Sequence, residues 1–563
     1  MENRKTGLMR RLRSGSALRD FAQDKSGNFA MMTAILMVPI MGSLGMAIDF
    51  SNMSAIRSQT QNALDASSLH AAKMFGEGFD DAEIALAAEQ LFVVNMNGRA
   101  DGLKFTYHGM QDRGDVLSIK VSAAGQYQPY FMGAFYNMVD TERALGVGAQ
   151  AETAIAATTV EMAFVLDNSG SMSGSKISTL KTAATALVTD LRKRVIRGSD
   201  PDAVRFAVVP FAASVNVGSS YANAAWMDTK GTSPIHHENF DWSTVSGAQQ
   251  QANGAWKKGS EWLTRQWLYG KIKADWGGCV EARPYPYNQD DAAPDTRTPS
   301  TLFVPMFAPD EPDIATLFES WNYQNSYIDD FRANPGRKSS STYVGNSTKQ
   351  YRRQAWVDKY LAYSSIAAAG PNEACTSAPI LPLTSNVDHV TRTFRDMVAS
   401  GNTNIAEGVA WGIRLLSPGE PFTEGRAYDA DRNVKAMVVM SDGENTYSSV
   451  NNTNKSTYGP YGYAGTGRIY EGADDAKWRN SMTQAIDTHM LAACEEAKAK
   501  GVTVYTIAFD VDERSNVASN LKACASTDRY LKSPLYYNAS SNSDLEKAFK
   551  SIGSHVSALR VFM

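Results

Sequence analysis

Two aspartates, two serines and a threonine stand where loops leave apolar runs: Asp167, Ser169 and Ser171 in Asp-Asn-Ser-Gly-Ser, Thr403 in Gly-Asn-Thr-Asn, and Asp442 in Ser-Asp-Gly. All offer oxygen. Such a set suits a hard divalent cation such as Mg2+, which takes oxygen ligands at about 2.1 Å in an octahedron and gives up its water reluctantly. Neutral hydroxyls can bind it directly while carboxylates hold its waters. A site rich in hydroxyls leaves the metal electrophilic, and an open position lets a partner's carboxylate complete the shell. That is docking, with no bond broken. Taken alone, Asp-x-Ser-x-Ser reads more simply as a turn in which Asp167 or Ser169 caps the next helix. The two downstream loops of matching character favour the metal reading.

The elements around these residues decide whether they can meet. Met162 to Leu166 is short and wholly apolar, which predicts a buried parallel strand with Asp167 at its carboxyl end. Open α/β sheets place ligand sites at such strand ends, where the loops line a common crevice. Lys176 to Arg197 then repeats apolar residues at helical spacing. Val204 to Phe211 predicts a second strand, and Val409 to Leu416 an apolar helix after the threonine loop. Ala436 to Met440 is another buried strand, leading to Ser441-Asp442-Gly443. A helix near Met482 to Lys500, an uncharged β-branched and aromatic strand over Val502 to Phe509, and a helix over Asp544 to Val561 complete an α/β alternation. This pattern predicts a mainly parallel, Rossmann-like sheet flanked by helices.

Asp167, Ser169, Ser171, Thr403 and Asp442 together resemble the metal-ion-dependent adhesion site of the von Willebrand factor A (vWA) family. The resemblance implies Ser169, Ser171 and Thr403 as direct ligands, with Asp167 and Asp442 direct or water-bridged. Mg2+ is the implied metal, with Mn2+ or Ca2+ as alternatives.

The N-terminus carries a second message. Residues 1–25 are polar and basic, and Ser26 to Ile48 follows without one charge. As a helix those residues would extend about 34 Å, enough for a bilayer core of about 30 Å. Positive flanks stay in the cytoplasm, so the expected topology is N-terminus inside and everything after Asp49 outside. A cleaved signal peptide competes, with Gly45-Met-Ala47 as its small-x-small site, but the apolar stretch exceeds the usual 7 to 15 residues. Asp49 to Phe75 continues as an amphipathic pattern without proline. Phe21 to Ala30, Asp49-Phe-Ser51 and Leu64 to Ala72 resemble TadE/TadG-type proteins of the tight-adherence (Flp) pilus machinery of bacteria. Processed prepilins usually carry glutamate five residues after a glycine. Met32 holds that place after Gly27, which implies an uncut, TadG-like state.

The expected order is a basic cytoplasmic tail (1–25), a transmembrane helix (26–48), a stalk helix (49–95), a small spacer domain (96–158) and a vWA domain (159–563) interrupted by a loop-rich insertion at about 216–390. Within the spacer, Leu103 to Tyr107 and Val116 to Ala123 alternate like half-buried strands. Arg113-Gly114-Asp115 between them reads as a hairpin turn rather than an adhesion motif, and the aromatic Gln126 to Met138 as a packing segment. Eight of the ten tryptophans lie in the insertion: Trp226, Trp242, Trp256, Trp262, Trp267, Trp276, Trp321 and Trp356. Its prolines predict an irregular body with a small core of its own. Packing explains the tryptophans better than a binding role. His236-His237-Glu238 reads as a solvated loop, since no further ligand stands at zinc spacing.

Cys279, Cys375, Cys494 and Cys524 all lie beyond the anchor, and an even number in an exported chain suggests disulfides. Four cysteines allow three connectivities. We favour Cys279 with Cys375, closing the insertion, and Cys494 with Cys524.

A net charge of −4 over 563 residues, with no basic stripe beyond the N-terminus, argues against nucleic acid as a partner. Nothing points to a small-molecule substrate. The expected function is that of a non-enzymatic pilus-assembly protein, single-pass in the bacterial inner membrane with its body periplasmic, binding a carboxylate of a pilus or secretion-apparatus protein. A surface adhesin using the same site is the alternative. An envelope hydrolase ranks below both, because Ser169 and Ser171 have no evident base and an acid pair around Asp290, Asp291 and Asp295 rests on spacing alone.

Overall fold

The computed structural model describes residues 27–77, 79–112, 116–131, 133, 145–156, 159–195, 202–312, 323–329, 353–362, 370–473, 481–528 and 531–562. The basic tail, Arg113-Gly114-Asp115 and Trp321 lie outside them. Two units divide the chain, residues 1–155 and 156–563.

In the first unit, helix α1 (Gly27–Glu77) runs through Pro39. Its first half exposes Met31 to Ile48 almost completely, and it is long and apolar enough to cross a membrane. From Ala63 onward one face buries Leu64, Ala71, Ala72 and Phe75. The stalk expected over 49–95 is not one helix. A new one, α2 (Asp81–Met96), begins where Asp80 and Glu83 form a capping box, which supplies the backbone partners that a helix start needs. The end of α2 returns to α1, since Gln59 Nε2 donates to Met96 O at 3.0 Å. Ile84, Ala88 and Phe92 share a core with α1 and with strands β1 (Leu103–Asp112), β2 (Val116–Tyr127) and β3 (Leu145–Ala156). The sheet order is β1-β2-β3, with β1 and β2 antiparallel. Stalk and spacer therefore form one body, because neither buries its apolar face alone. Of the aromatic segment Gln126 to Met138, Tyr130 and Phe131 are exposed rather than packed, and residues 132 and 134–138 lie outside the described residues.

The second unit opens with β4 (Thr159–Asp167), buried from its second residue to its end. Strand alternation explains why the run is apolar throughout. Met162, Phe164 and Leu166 face one core, Ala163 and Val165 the other. The first core is filled by α3 (Ser175–Val195), whose Leu180, Leu187 and Leu191 meet it. The chain returns through β5 (Val204–Phe211), parallel to β4.

The following segment holds a small ribbon, β6 (Gln249–Gln250), β7 (Trp256–Lys258) and β8 (Glu261–Trp262), and a short helix, α4 (Arg265–Ile272). Among the described residues it has no separate main core, contrary to expectation. Trp226, Trp242, Leu268, Phe303 and Phe307 join one cluster with Val165, Val209, Trp411 and Met437 of the α/β layer. Nor is His236-His237-Glu238 solvated. His236 is fully buried, pairs with Asp228 at 2.9 Å and accepts the Arg265 amide at 3.0 Å. Burial pushes the His237 pKa down to about 4, with His236 adding to the shift. A disulfide joins Cys279 to Cys375 across 96 residues, and a second joins Cys494 to Cys524.

Strand β9 (Leu381–Thr384) lies inside the stretch assigned to the insertion, antiparallel to β5 at the sheet edge. After it come α5 (Val387–Asp396), α6 (Ile405–Leu416) and β10 (Asn433–Ser441). The chain continues through α7 (Met482–Ala499), β11 (Thr503–Phe509), α8 (Asn516–Cys524), β12 (Tyr536–Ala539) and α9 (Asn542–Phe562). The sheet order is β12-β11-β10-β4-β5-β9, all parallel except β9. Connections leave β4 toward β5 on one side and β10 toward β11 on the other. The order reverses between β4 and β10, and their carboxyl ends frame a crevice.

Candidate metal centre at the β4 and β10 strand ends

Asp167 closes β4 fully buried and is fixed from both sides. Its Oδ1 accepts the Ser169 amide at 2.8 Å, and its Oδ2 accepts the Ser441 hydroxyl at 2.6 Å. Burial pushes the Asp167 pKa up to about 6, hydrogen bonds from Ser441 and Ser169 oppose this, and the charge of Asp442 adds to it. The loop then makes a tight turn over Gly170–Met172. Here Ser169 Oγ lies 3.0 Å from Ser171 Oγ, and Ser171 Oγ donates to Asp442 Oδ1 at 2.5 Å. Asp167, Ser169, Ser171 and Asp442 thus form one hydrogen-bonded chain across the β4–β10 seam.

Thr403 arrives on the adjoining loop through backbone contacts. The Gly170 amide donates to Gly401 O at 2.9 Å, the Ser400 amide to Asn168 O at 2.9 Å and the Thr446 amide to Thr403 O at 2.8 Å. Gly401 takes φ +84°, a conformation that glycine adopts without a steric penalty. Asn404 caps α6 by accepting the Glu407 amide at 3.2 Å, so the helix start fixes Thr403. Asn445 Oδ1 accepts the Ile405 amide at 2.7 Å, and its Nδ2 donates to Asp487 Oδ1 at 2.7 Å. These bonds tie the loop after β10 to α6 and α7.

The sequence reading left three participants unassigned. Ser441 orients Asp167, and Lys176 Nζ sits 2.9 Å from Asp442 Oδ2 and 2.9 Å from Asp510 Oδ2. Burial opposes the charge on Lys176, yet its bonds to Asp442 and Asp510 outweigh that and raise its pKa. Ser441 stood in the motif itself. Lys176 was visible only as the first charged residue of a helix.

The arrangement fits a hard cation. Its donors are hydroxyl and carboxylate oxygens, a buried carboxylate is held with its charge disfavoured, and an ammonium group already leans on Asp442. Among the described residues, no group of three His, Cys, Asp or Glu side chains able to hold a metal forms, here included, since only Asp167 and Asp442 of the five candidates are of those types. Ser169 bonds to Ser171 and Ser171 to Asp442, with no histidine in that chain of bonds. The three aspartates weighed as an acid pair are engaged in ion pairs: Asp290 with Arg283, Asp291 with Lys500 and Asp295 with Arg297.

Residues 27–74 match the family model described as Putative Flp pilus-assembly TadE/G-like, and residues 161–230 match that of the von Willebrand factor type A domain. No curated protein matches significantly. Similar solved structures include the pilus adhesin SpaC from Lactobacillus rhamnosus GG, 10% identical at TM-score 0.29, covering 81% of this chain and 34% of that one. Another is the vWF domain of the type V pili tip protein Mfa5 from Porphyromonas gingivalis, 10% identical at TM-score 0.29, covering 71% and 95%. A third is proximal thread matrix protein 1 from the mussel byssus, solved with a zinc-occupied metal-ion-dependent adhesion site, 10% identical at TM-score 0.26, covering 71% and 46%. The chain spans about a third of SpaC.

Proposed function

We propose that this chain, which joins a TadE/G-like helix to a von Willebrand factor type A domain, is a non-enzymatic pilus-assembly protein of the bacterial inner membrane. In this reading α1 crosses the membrane with the N-terminus in the cytoplasm and the vWA domain in the periplasm. Asp167, Ser169, Ser171, Thr403 and Asp442 hold a divalent cation, Mg2+ first and Mn2+ or Ca2+ as alternatives. The bound cation supplies an electrophilic position for a carboxylate of a pilus or secretion-apparatus subunit. The observation that carries the reading is the chain of hydrogen bonds from Ser441 through Asp167, Ser169 and Ser171 to Asp442 at the point where the strand order reverses. It draws oxygen donors from separate loops into one place, where open α/β sheets bind ligands.

The chain's own groups have distinct tasks in this proposal. Ser441 and the Ser169 amide aim Asp167, Asn404 and Asn445 set the threonine loop, and Lys176 balances charge until a cation is present. The test is cross-linked capture from native envelopes in three samples: wild type in Mg2+, wild type in chelator, and Ser171→Ala in Mg2+. A pilin or apparatus subunit captured only in the first sample is the expected result. Identical partners in all three would sink the metal-docking reading.

A further inference from the structure

We propose that the turn at residues 129–131 is a second membrane contact, an aromatic foot that rests in the lipid headgroup region beside α1. The proposal rests on the reading of α1 as a membrane anchor. Asp49, the first charge after the apolar stretch, is buried although its helix neighbours Met46, Ile48 and Phe50 are exposed. Its Oδ1 accepts the Tyr130 amide at 2.9 Å and its Oδ2 the Phe131 amide at 2.9 Å. Both carboxylate oxygens thereby clamp the tip of one turn to the helix. On the adjoining helical turn, a Cβ added at Gly45 would lie 2.8 Å from Phe131 Cβ. Glycine is what lets the foot seat there.

Clamped in this way, the turn still leaves Tyr130 78% and Phe131 53% exposed. Met41, Leu44 and Ile48 of the same stretch of α1 are exposed as well, and residues 121–133 contain no charged side chain. Depth selects the occupant. Gly45 precedes Asp49 by four residues, about 6 Å along a helix axis. Each interfacial layer of a bilayer is also about 6 Å thick, from a core near 30 Å within a total of 40–45 Å. With Asp49 at the outer limit of that layer, Phe131 against Gly45 lies at its inner boundary with the chain core. Amphipathic aromatic rings concentrate at that level.

Depth-dependent quenching tests this on the full chain in phosphatidylcholine–phosphatidylglycerol vesicles. All four cysteines are paired in disulfides, so NBD can be attached at Met37→Cys, Tyr130→Cys or Val94→Cys, with nitroxide lipids labelled at a shallow or a deep acyl carbon. The label at 130 should lose about half its emission to the shallow nitroxide and clearly less to the deep one, as an interfacial ring would. The label at 37 should respond to both and the label at 94 to neither. Adding Gly45→Val to the Tyr130→Cys chain should reduce the shallow quenching by loosening the seat. Quenching at 37 without quenching at 130 overturns the foot and leaves the anchor standing. No quenching at 37 overturns the anchor and the foot with it.

Discussion

Lys176 is the residue whose role in the proposed metal centre is easiest to measure. Its ammonium lies 2.9 Å from Asp442 Oδ2, with the side chain 25% exposed. A fixed positive charge on a ligand carboxylate competes with an incoming cation. Two unit charges about 4 Å apart interact by roughly 4 kcal/mol at an effective dielectric near 20, and partial exposure and salt reduce this. Retaining even a third of it amounts to about 1.4 kcal/mol, or tenfold in binding. Lys176→Gln should therefore bind Mg2+ about tenfold more tightly at low salt, measured by calorimetry on the detergent-solubilised chain. Unchanged or weaker binding would mean that Lys176 orients Asp442 rather than competing for it. The residue types at 167, 169, 171, 403 and 442 were legible because oxygen donors at the ends of apolar runs form a pattern in sequence. Lys176 was not, because only the fold brings a helix start to a strand end beyond Leu416. His236 was misread for the same reason: its partner Asp228 gives no local sign that both are buried.

At the scale of elements, the placing of Thr403 depends on how closely α6 lies on the sheet. All residues of α6 are buried, Glu407 and Arg414 included, so the helix is packed on every side. A Cβ at Gly408 would stand 2.7 Å from the Phe211 ring and 2.9 Å from Val165 Cγ1. Both neighbours are stiff and belong to β5 and β4, so the added methyl must lift the helix. Alanine at an exposed helical glycine gains up to about 1 kcal/mol, whereas overpacking a core costs about 1–3 kcal/mol. The sign of the change therefore discriminates. Gly408→Ala should lower the melting temperature, while Gly270→Ala, on an exposed position of α4 with open space around it, should leave it unchanged or raise it. A stabilised Gly408→Ala would refute the close seat. The strands β4, β5, β10 and β11 were readable from apolar runs because sheet burial on both faces demands them. Strands β9 and β12 were not, since Leu381-Pro-Leu-Thr and Tyr536-Tyr-Asn-Ala are short edge pieces without a period. The break after Glu77 was missed because the apolar spacing resumes in α2; the capping residues Asp80 and Glu83 were the signal that could have found it.

For the molecule as a whole, the tryptophan-rich segment decides how the vWA unit unfolds. An insertion with its own core would melt apart from the sheet. Here Trp226 stacks edge-on against Phe303, which lies 4.9 Å from Trp411 of α6, so aromatic packing runs from the insertion into the helix that follows the Thr403 loop. Buried charge binds the same parts together. Glu281 accepts from Arg265, from Tyr458 and, at 2.6 Å, from Arg468, which lies beyond β10. Burial works against the Glu281 carboxylate, but Arg265 and Arg468 hold its pKa below the ordinary range. Removing one partner of such a group costs about 3–5 kcal/mol, because the others stay buried and unpaired. Since eight of the ten tryptophans lie in 216–390, their emission reports the insertion, while far-ultraviolet circular dichroism reports mainly the helices around the sheet. The two signals should trace one coincident urea transition, as a single cooperative unit does. Glu281→Ala should move both midpoints down together, by an amount equivalent to about 3 kcal/mol or more. A tryptophan transition that precedes the circular dichroism transition, in either protein, would show an insertion that opens on its own.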